Sequence, residues 1–286
     1  MTTVAVTGAT GKTGRVVVTG LLEHGIDVLA VDVAVSAAAR AEFDALGVPL
    51  TRADLTDYGQ AVDALAGADS VIHLANIPAP GLAPAAHTLT TNTAMNDNVF
   101  LAAARLKLSR VVWASSETTL GLPFDVPPRY APVDEDHYPY PTTTYALSKV
   151  AGETTAAHIA EWSGIPFVAL RLSNVHTPED YARVPGYWAD ARSRRWNLWG
   201  YVDARDVAAA CRQALTAPVT GAQSFVIAAA DTIMNRPSAE LLAEVFPGVR
   251  LTREIGTYET LLGIDRAREV LGYQPQHSWR DAVDAT

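Results

Sequence analysis

Tyr145 and Lys149 stand four residues apart in the run YALSK, and side chains at i and i+4 of a helix share one face, so a phenol and an ammonium can reach one ligand. A phenol with an ordinary pKa of about 10 is a poor base at neutral pH, and a neighbouring ammonium favours its phenolate. The pair therefore suits proton transfer to or from a hydroxyl or carbonyl oxygen. Two hydroxyls, Ser115 and Ser116, close the apolar run that begins at Arg110, and open α/β sheets place their ligands at the carboxyl ends of strands. Either serine can hold the reacting oxygen.

A second cluster offers a place for a dinucleotide. The run TGATGKTG follows the first predicted strand and sets Gly8, Gly11 and Gly14 at the mouth of a helix, with Lys12 and Thr13 ahead of the last glycine. Glycines here allow a tight turn, close approach to a pyrophosphate and close packing of helix on strand, while the helix N-terminus adds free N–H groups and positive potential. Asp32 ends the second predicted strand, 18 residues after Gly14, where a carboxylate accepts hydrogen bonds from adenosine ribose hydroxyls and repels a 2′-phosphate. That favours NAD, against Lys12 and Arg15, which would attract such a phosphate. Asp54 and Leu55, after the third strand, are placed to bracket the adenine.

The elements that must hold these residues appear as an alternation. Strand-like runs at 4–7, 27–33, 70–75, 110–115 and 166–172 are separated by helix candidates at 13–22, 37–46, 60–65, 91–106 and 145–162. Such alternation implies βαβ units, and continuous apolar strands suit a parallel sheet covered on both faces. The expected fold is a Rossmann-type doubly wound sheet in residues 1–172, with the catalytic helix. Residues 173–286 form mainly a smaller substrate-side lobe interleaved with it, holding a Trp/Arg-rich segment from Trp188 to Trp199, a helix near 207–215 and a strand near 224–229. The proline-rich loop from Gly121 to Thr143 is too long for an ordinary connector and is expected to be functional.

Composition narrows the partners. A chain of 286 residues with net charge −9 is a poor match for nucleic acid or an anionic membrane surface, both of which reward positive charge, so a small molecule is the expected partner. One cysteine, Cys211, forms no internal disulfide, and the seven histidines show no metal-ligand spacing, so no metal is expected. The N-terminus opens directly on a strand without a signal-peptide pattern, and no run reaches the apolar length of a membrane span; a cytoplasmic protein is expected.

Taken in order, TGATGKTG, Asp32, Asp54-Leu55, His73-Leu74-Ala75, Ser115-Ser116 with Gly121, YALSK and Glu153 resemble the extended short-chain dehydrogenase/reductases, the NAD-dependent epimerase/dehydratase family. RLSNV at 171–175, YVDARDV at 201–207 and LGYQP at 271–275 are similar to its later landmarks, so the resemblance spans nearly the whole chain. It implies that Tyr145 is the general base or acid, that Lys149 binds the nicotinamide ribose, and that one serine holds the reacting oxygen. Counting back from Gly121 selects Ser116, with Ser115 the alternative. Leu74, Ala75 and Asn92 fall at cofactor-side positions, although Asn92 equally suits a structural helix cap. His73 is expected to pack under the cofactor rather than titrate, and Glu153 either pairs with Lys149 or lies on a solvated face. A homodimer through the helices at 91–106 and 145–162 is also implied.

One departure bears on substrate. Nucleotide-sugar members carry a long segment where this chain has only Val175 to Tyr201, and the short form is similar to uronate dehydrogenases and related small-sugar oxidoreductases. Asn174 and Arg183 are the expected substrate contacts, with Arg192, Arg194 and Arg195 behind them and Trp188, Trp196 and Trp199 available to stack on a ring. The expected activity is an NAD-dependent oxidoreductase acting on a small sugar, sugar acid or polyol-like substrate. An epimerase that retains its NAD is the alternative within the same chemistry, and a non-catalytic NAD(H)-sensing protein is the alternative outside it.

Overall fold

Alternate residues of each inner strand face opposite sides, and both sides are apolar, so each strand needs cover above and below. The computed structural model describes residues 2–121, 123–124 and 126–283; Leu122 and Asp125 of the proline-rich loop and residues 284–286 of the expected second lobe lie outside them. In chain order the elements are β1 (Thr3–Thr7), α1 (Lys12–Leu22), β2 (Asp27–Asp32), α2 (Ala37–Ala45), β3 (Leu50–Arg52), α3 (Tyr58–Leu65), β4 (Ser70–His73), α4 (Ala85–Leu106) and β5 (Arg110–Ser116). There follow β6 (Tyr130–Ala131), α5 (Thr144–Ser163), β7 (Phe167–Leu172), β8 (Val175–His176), β9 (Val202–Asp203), α6 (Ala204–Ala214), β10 (Ala222–Ile227), α7 (Ser238–Val245), β11 (Arg250–Leu251) and α8 (Asp265–Leu271).

Seven strands form one parallel sheet in the order β10-β7-β5-β4-β1-β2-β3. The chain winds outward from β1 to β3, returns to β4 beside β1, and winds outward again. This is the doubly wound arrangement expected from the alternation, and it opens a crevice at the carboxyl ends of β1 and β4. Val4, Val6, Ile72, Val112 and Val168 bury one face under α1 and α6. Ala5, Val71, Val111, Trp113 and Phe167 bury the other with α3, α4 and α5. Small residues let the helices close in: a Cβ on Gly20 of α1 would lie 3.2 Å from Ala208 Cβ of α6.

The helices start where side chains satisfy free N–H groups. Ser36, Asp57 and Thr143 accept from the backbone N–H of Ala39, Gln60 and Ala146 and open α2, α3 and α5. α4 begins at Ala85 rather than at Thr91, with Thr88 N–H donating to Pro84 O at 2.9 Å; the low helix propensity of its threonine-rich first turns hides that start from the sequence. Beyond residue 172, β10 joins the main sheet beside β7, a 3-10 turn at 178–187 precedes the Trp/Arg-rich segment, and that segment forms a second 3-10 turn at 191–197. The proline-rich loop is tied to the later chain through β6 paired with β11 and through Val133 N–H on Leu261 O at 2.8 Å. Among the described residues, no helix is long and apolar enough to cross a membrane, and no cluster of metal-ligating side chains occurs.

Candidate active site

The crevice is a cavity of about 990 Å³ that runs from Asp32 to Tyr145. At one end Gly8, Thr10, Gly11, Lys12, Thr13 and Gly14 line it. Gly8 has φ +68°, and a Cβ there would meet Ala75 N at 2.8 Å; a Cβ on Gly14 would meet Gly8 O at 2.1 Å. No side chain fits either position, so the loop lies flat, and Gly11 caps α1 without a side-chain bond to its first N–H groups. That shape could hold a pyrophosphate. Asp32 is held by Thr10 N–H, the Thr10 hydroxyl and Ala34 N–H at 3.0, 2.8 and 3.0 Å. Two of these fall on Oδ2 and one on Oδ1, which leaves Oδ1 capacity for a ribose hydroxyl. Both cations that would favour a 2′-phosphate are engaged: Lys12 donates to Val175 O at 2.7 Å and Asp180 at 2.9 Å, and Arg15 pairs with Glu42. Asp54, Leu55, Leu74 and Ala75 also line the cavity. These residues fit NAD.

Asn92 does not line the cavity. It is fully buried, and its side chain accepts from Ile77 N–H at 2.8 Å and donates to Ile77 O at 3.1 Å, so it ties down the loop after β4 rather than touching a cofactor. His73 lies beneath the glycine loop, bonded to the Thr7 hydroxyl at 2.7 Å and to Asn96 Oδ1 at 3.1 Å. Burial, and then the Lys149 charge, pull its pKa down to about 3, so the ring is neutral and structural.

At the far end Tyr145, buried in the first turn of α5, meets the Ser116 hydroxyl at the end of β5. Ser115 is engaged elsewhere: its hydroxyl donates to Glu153 Oε1 at 2.6 Å, and Glu153 takes both arms of Arg171 at 3.0 and 2.8 Å. Ser116 instead accepts from Thr118 N–H and the Thr118 hydroxyl at 3.1 and 3.0 Å, and so keeps its own O–H to donate beside Tyr145. Glu153 neither pairs directly with Lys149 nor faces solvent; it anchors α5 to β7. Lys149 is fully buried, donates to Ala114 O at 2.7 Å, and lies 5.5 Å from the centre of the Tyr145 ring. It stands behind Tyr145 and off the cavity wall, whereas the expectation put it in contact with the nicotinamide ribose. Burial pulls the Lys149 pKa down to about 7 and pushes Tyr145 up to about 12, with the nearby Glu117 raising Tyr145 further and the Ser116 bond opposing. In this state the phenol carries its proton.

The substrate side differs most from expectation. Asn174 lines the cavity, but Arg183 does not; its side chain is 78% exposed and reaches only Asp180, at 3.8 Å, because residues 178–187 coil outward as a 3-10 segment. Trp196 lines the cavity, whereas Trp188 and Trp199 bond Ile233 O and Ala191 O and serve the core. Arg192 is exposed, and Arg194 is buried between the Tyr187 and Trp196 rings, donating to Asn174 Oδ1 at 2.9 Å. The residue that the motifs passed over is Glu117. It follows Ser116 directly, lines the cavity, and is 3% exposed, with Ser173 Oγ donating to it at 2.6 Å and Asn197 Nδ2 at 3.2 Å. Burial pushes its pKa up to about 7 against the pull of Ser173, Asn197 and Arg194. Its signal in the sequence is a single charge in the otherwise uncharged stretch between Arg110 and Asp125.

A model of the NAD dependent epimerase/dehydratase family matches residues 4–228. The NAD-dependent glucose-6-phosphate dehydrogenase of Haloferax volcanii is 31% identical over 151 residues, which cover 49% of this chain and 57% of that protein. The chain thus spans little more than half the length of this relative. Among solved structures, a UDP-galactose 4-epimerase superposes with a TM-score of 0.71 at 25% identity, covering 99% of this chain and 97% of that one. A uronate dehydrogenase from Agrobacterium tumefaciens gives a TM-score of 0.69 at 20% identity, covering 98% and 86%.

Proposed function

This chain belongs to the NAD dependent epimerase/dehydratase family, is an NAD-dependent enzyme of the extended short-chain dehydrogenase/reductase type, and from that premise we propose that it oxidises a carbinol carbon of a small sugar, sugar acid or polyol-like substrate. The observation that carries the reading is one cavity joining a dinucleotide cradle to the Ser116–Tyr145 pair. Ser116 holds the substrate oxygen, and Tyr145 takes the hydroxyl proton on oxidation or returns it on reduction. NAD, when bound, supplies the acceptor for the hydride that leaves the same carbon. Lys149, 5.5 Å from the centre of the Tyr145 ring, favours the phenolate when it carries its proton, and Asp32 with the glycine loop orients the dinucleotide. In this reading residues 1–172 carry the NAD site and the proton-transfer group, while residues 173–286 build most of the substrate side.

The short stretch from Val175 to Tyr201 leaves little chain to enclose a nucleoside diphosphate, which supports a small substrate. The full-length likeness to a UDP-galactose 4-epimerase favours a second reading, an epimerase using the same side chains without net turnover of NAD. Following the NADH absorbance with free sugars, uronates and UDP-sugars separates them. Net NADH formation with a free sugar or uronate is expected. Conversion of a UDP-sugar without NADH formation would replace the oxidoreductase reading by the epimerase one.

A further inference from the structure

Glu117 is the acidic group at the reacting end of the cavity, and nothing in the proton transfer described above uses it. It is the neighbour of Ser116 in sequence, it is near enough to Tyr145 for its charge to act on the phenol, and it is held in place from behind by Ser173 and Asn197. The Asn174 N–H donates to the same carboxyl, and since a carboxylate offers about four acceptor sites, these donors leave acceptor capacity for one more. The cations are arranged otherwise. Lys12 is the one lysine or arginine among the described residues that lines the cavity, and it sits at the dinucleotide end paired with Asp180. Arg194 is buried behind Asn174 and off the wall, and Arg183 points to solvent.

We propose that Glu117 sets the charge class of the substrate: its carboxyl accepts a hydroxyl hydrogen of an uncharged polyhydroxylated substrate next to the reacting carbon and turns away substrates that bring a carboxylate there. The assignment rests on the oxidoreductase reading and narrows it from sugars and sugar acids to neutral sugars and polyols. A hydroxyl group offers the donor that Glu117 lacks, whereas a carboxylate offers only acceptors and a like charge in a site poorly screened by water. The groups that face Glu117 are Tyr145 from α5, Ser173 and Asn174 after β7, and Arg194 and Asn197 from the 3-10 segment, with His176 of β8 bonded to Asn174. Tyr145 and His176 do not titrate near neutrality, their pKa values lying at about 12 and about 4. Lys149, behind Tyr145, titrates in the same range as Glu117 and has to be separated from it.

The test titrates paired ligands, D-glucose with D-glucuronate and D-galactose with D-galacturonate, into the NADH-loaded protein, with NADH formation followed in parallel on the NAD-loaded protein. The wild type should bind at least one neutral sugar roughly tenfold or more tightly than its uronate, and E117Q should bring the two within about threefold. Uronate binding by the wild type should tighten between about pH 8 and about pH 6 as Glu117 takes a proton, and E117Q should lose that slope. E117D keeps the charge and should keep the discrimination, and the pH titration of the wild type decides even where a variant fails to fold. Equal or tighter binding of uronates by the wild type, or a pH slope that survives in E117Q and so belongs to Lys149, overturns the role of Glu117. NADH formation from uronates alone overturns it too while leaving the oxidoreductase reading intact. Preferential binding of neutral sugars without NADH formation from any ligand contradicts the oxidoreductase reading and upholds Glu117 as the charge gate. Binding of neither class overturns both.

Discussion

Asp32 illustrates how much one side chain decides when its neighbours are already engaged. Its Oδ1 retains capacity at the glycine-loop end of the crevice, and Lys12 and Arg15 are tied to Asp180 and Glu42. Asp32→Ala should therefore weaken NAD and narrow the gap to NADP, as measured by fluorescence titration of the two dinucleotides; a wild type that prefers NADP would contradict this. Glu117 carries a prediction about stability. Its carboxyl is raised from 4.5 to about 7 in the fold, so its favourable contribution is complete below about pH 4.5 and is lost as the pH rises through 7. E117Q cannot ionise, so its melting temperature relative to the wild type should rise between about pH 5 and about pH 8, for a gain of roughly 1–3 kcal/mol. Lys149 has a lowered pKa and the opposite sign, but it is common to both proteins and cancels in the difference. A melting difference independent of pH would contradict the buried ionisation. Tyr145, Ser116 and the glycines are legible in sequence because spacing and strand ends announce them. Glu117 and Arg183 are not, since whether a charged side chain faces a cavity or solvent depends on how an irregular segment coils.

α4 and α5 pack so closely that α5 can carry no side chain at Gly152. A Cβ there would lie 2.9 Å from both Asn96 Nδ2 and Trp113 Cη2, and the Trp113 ring is fully buried between strand and helix. Gly152→Ala should lower stability by about 1–3 kcal/mol through overpacking, read as a lower melting temperature. Unchanged melting would mean that the helices can part at no cost. Regular elements are the legible part of this fold, because continuous apolar strand runs alternate with alanine-rich helices over many residues. The 3-10 segments at 178–187 and 191–197 are not legible, since turns with a proline at Pro185 and left-handed residues at Leu198 and Trp199 follow tertiary contacts rather than periodicity.

Across the whole molecule, the outward faces of α4 and α5 expose Leu101, Leu147 and Trp162. A homodimer through these helices should give twice the chain mass of 30.5 kDa by sedimentation at micromolar concentration, and a mass of 30.5 kDa would exclude it. The sheet order explains why residues far apart in sequence meet: β1 and β2 bring Gly8 and Asp32 to one end of the crevice, and β5 with α5 bring Ser116 and Tyr145 to the other. The substrate wall is drawn from later, irregular chain, which is why the sequence announces the chemistry more clearly than its object. The central claim is that Tyr145 moves the proton while the dinucleotide cradle works independently of it. Single-turnover NADH formation should be compared in the wild type and Tyr145→Phe, at saturating NAD and the sugar found by the NADH screen, with NAD affinity measured alongside. A rate lower by about 100-fold to 10,000-fold or more, with NAD affinity little changed, is predicted. A near-normal rate in Tyr145→Phe would remove Tyr145 from the reaction and contradict the account.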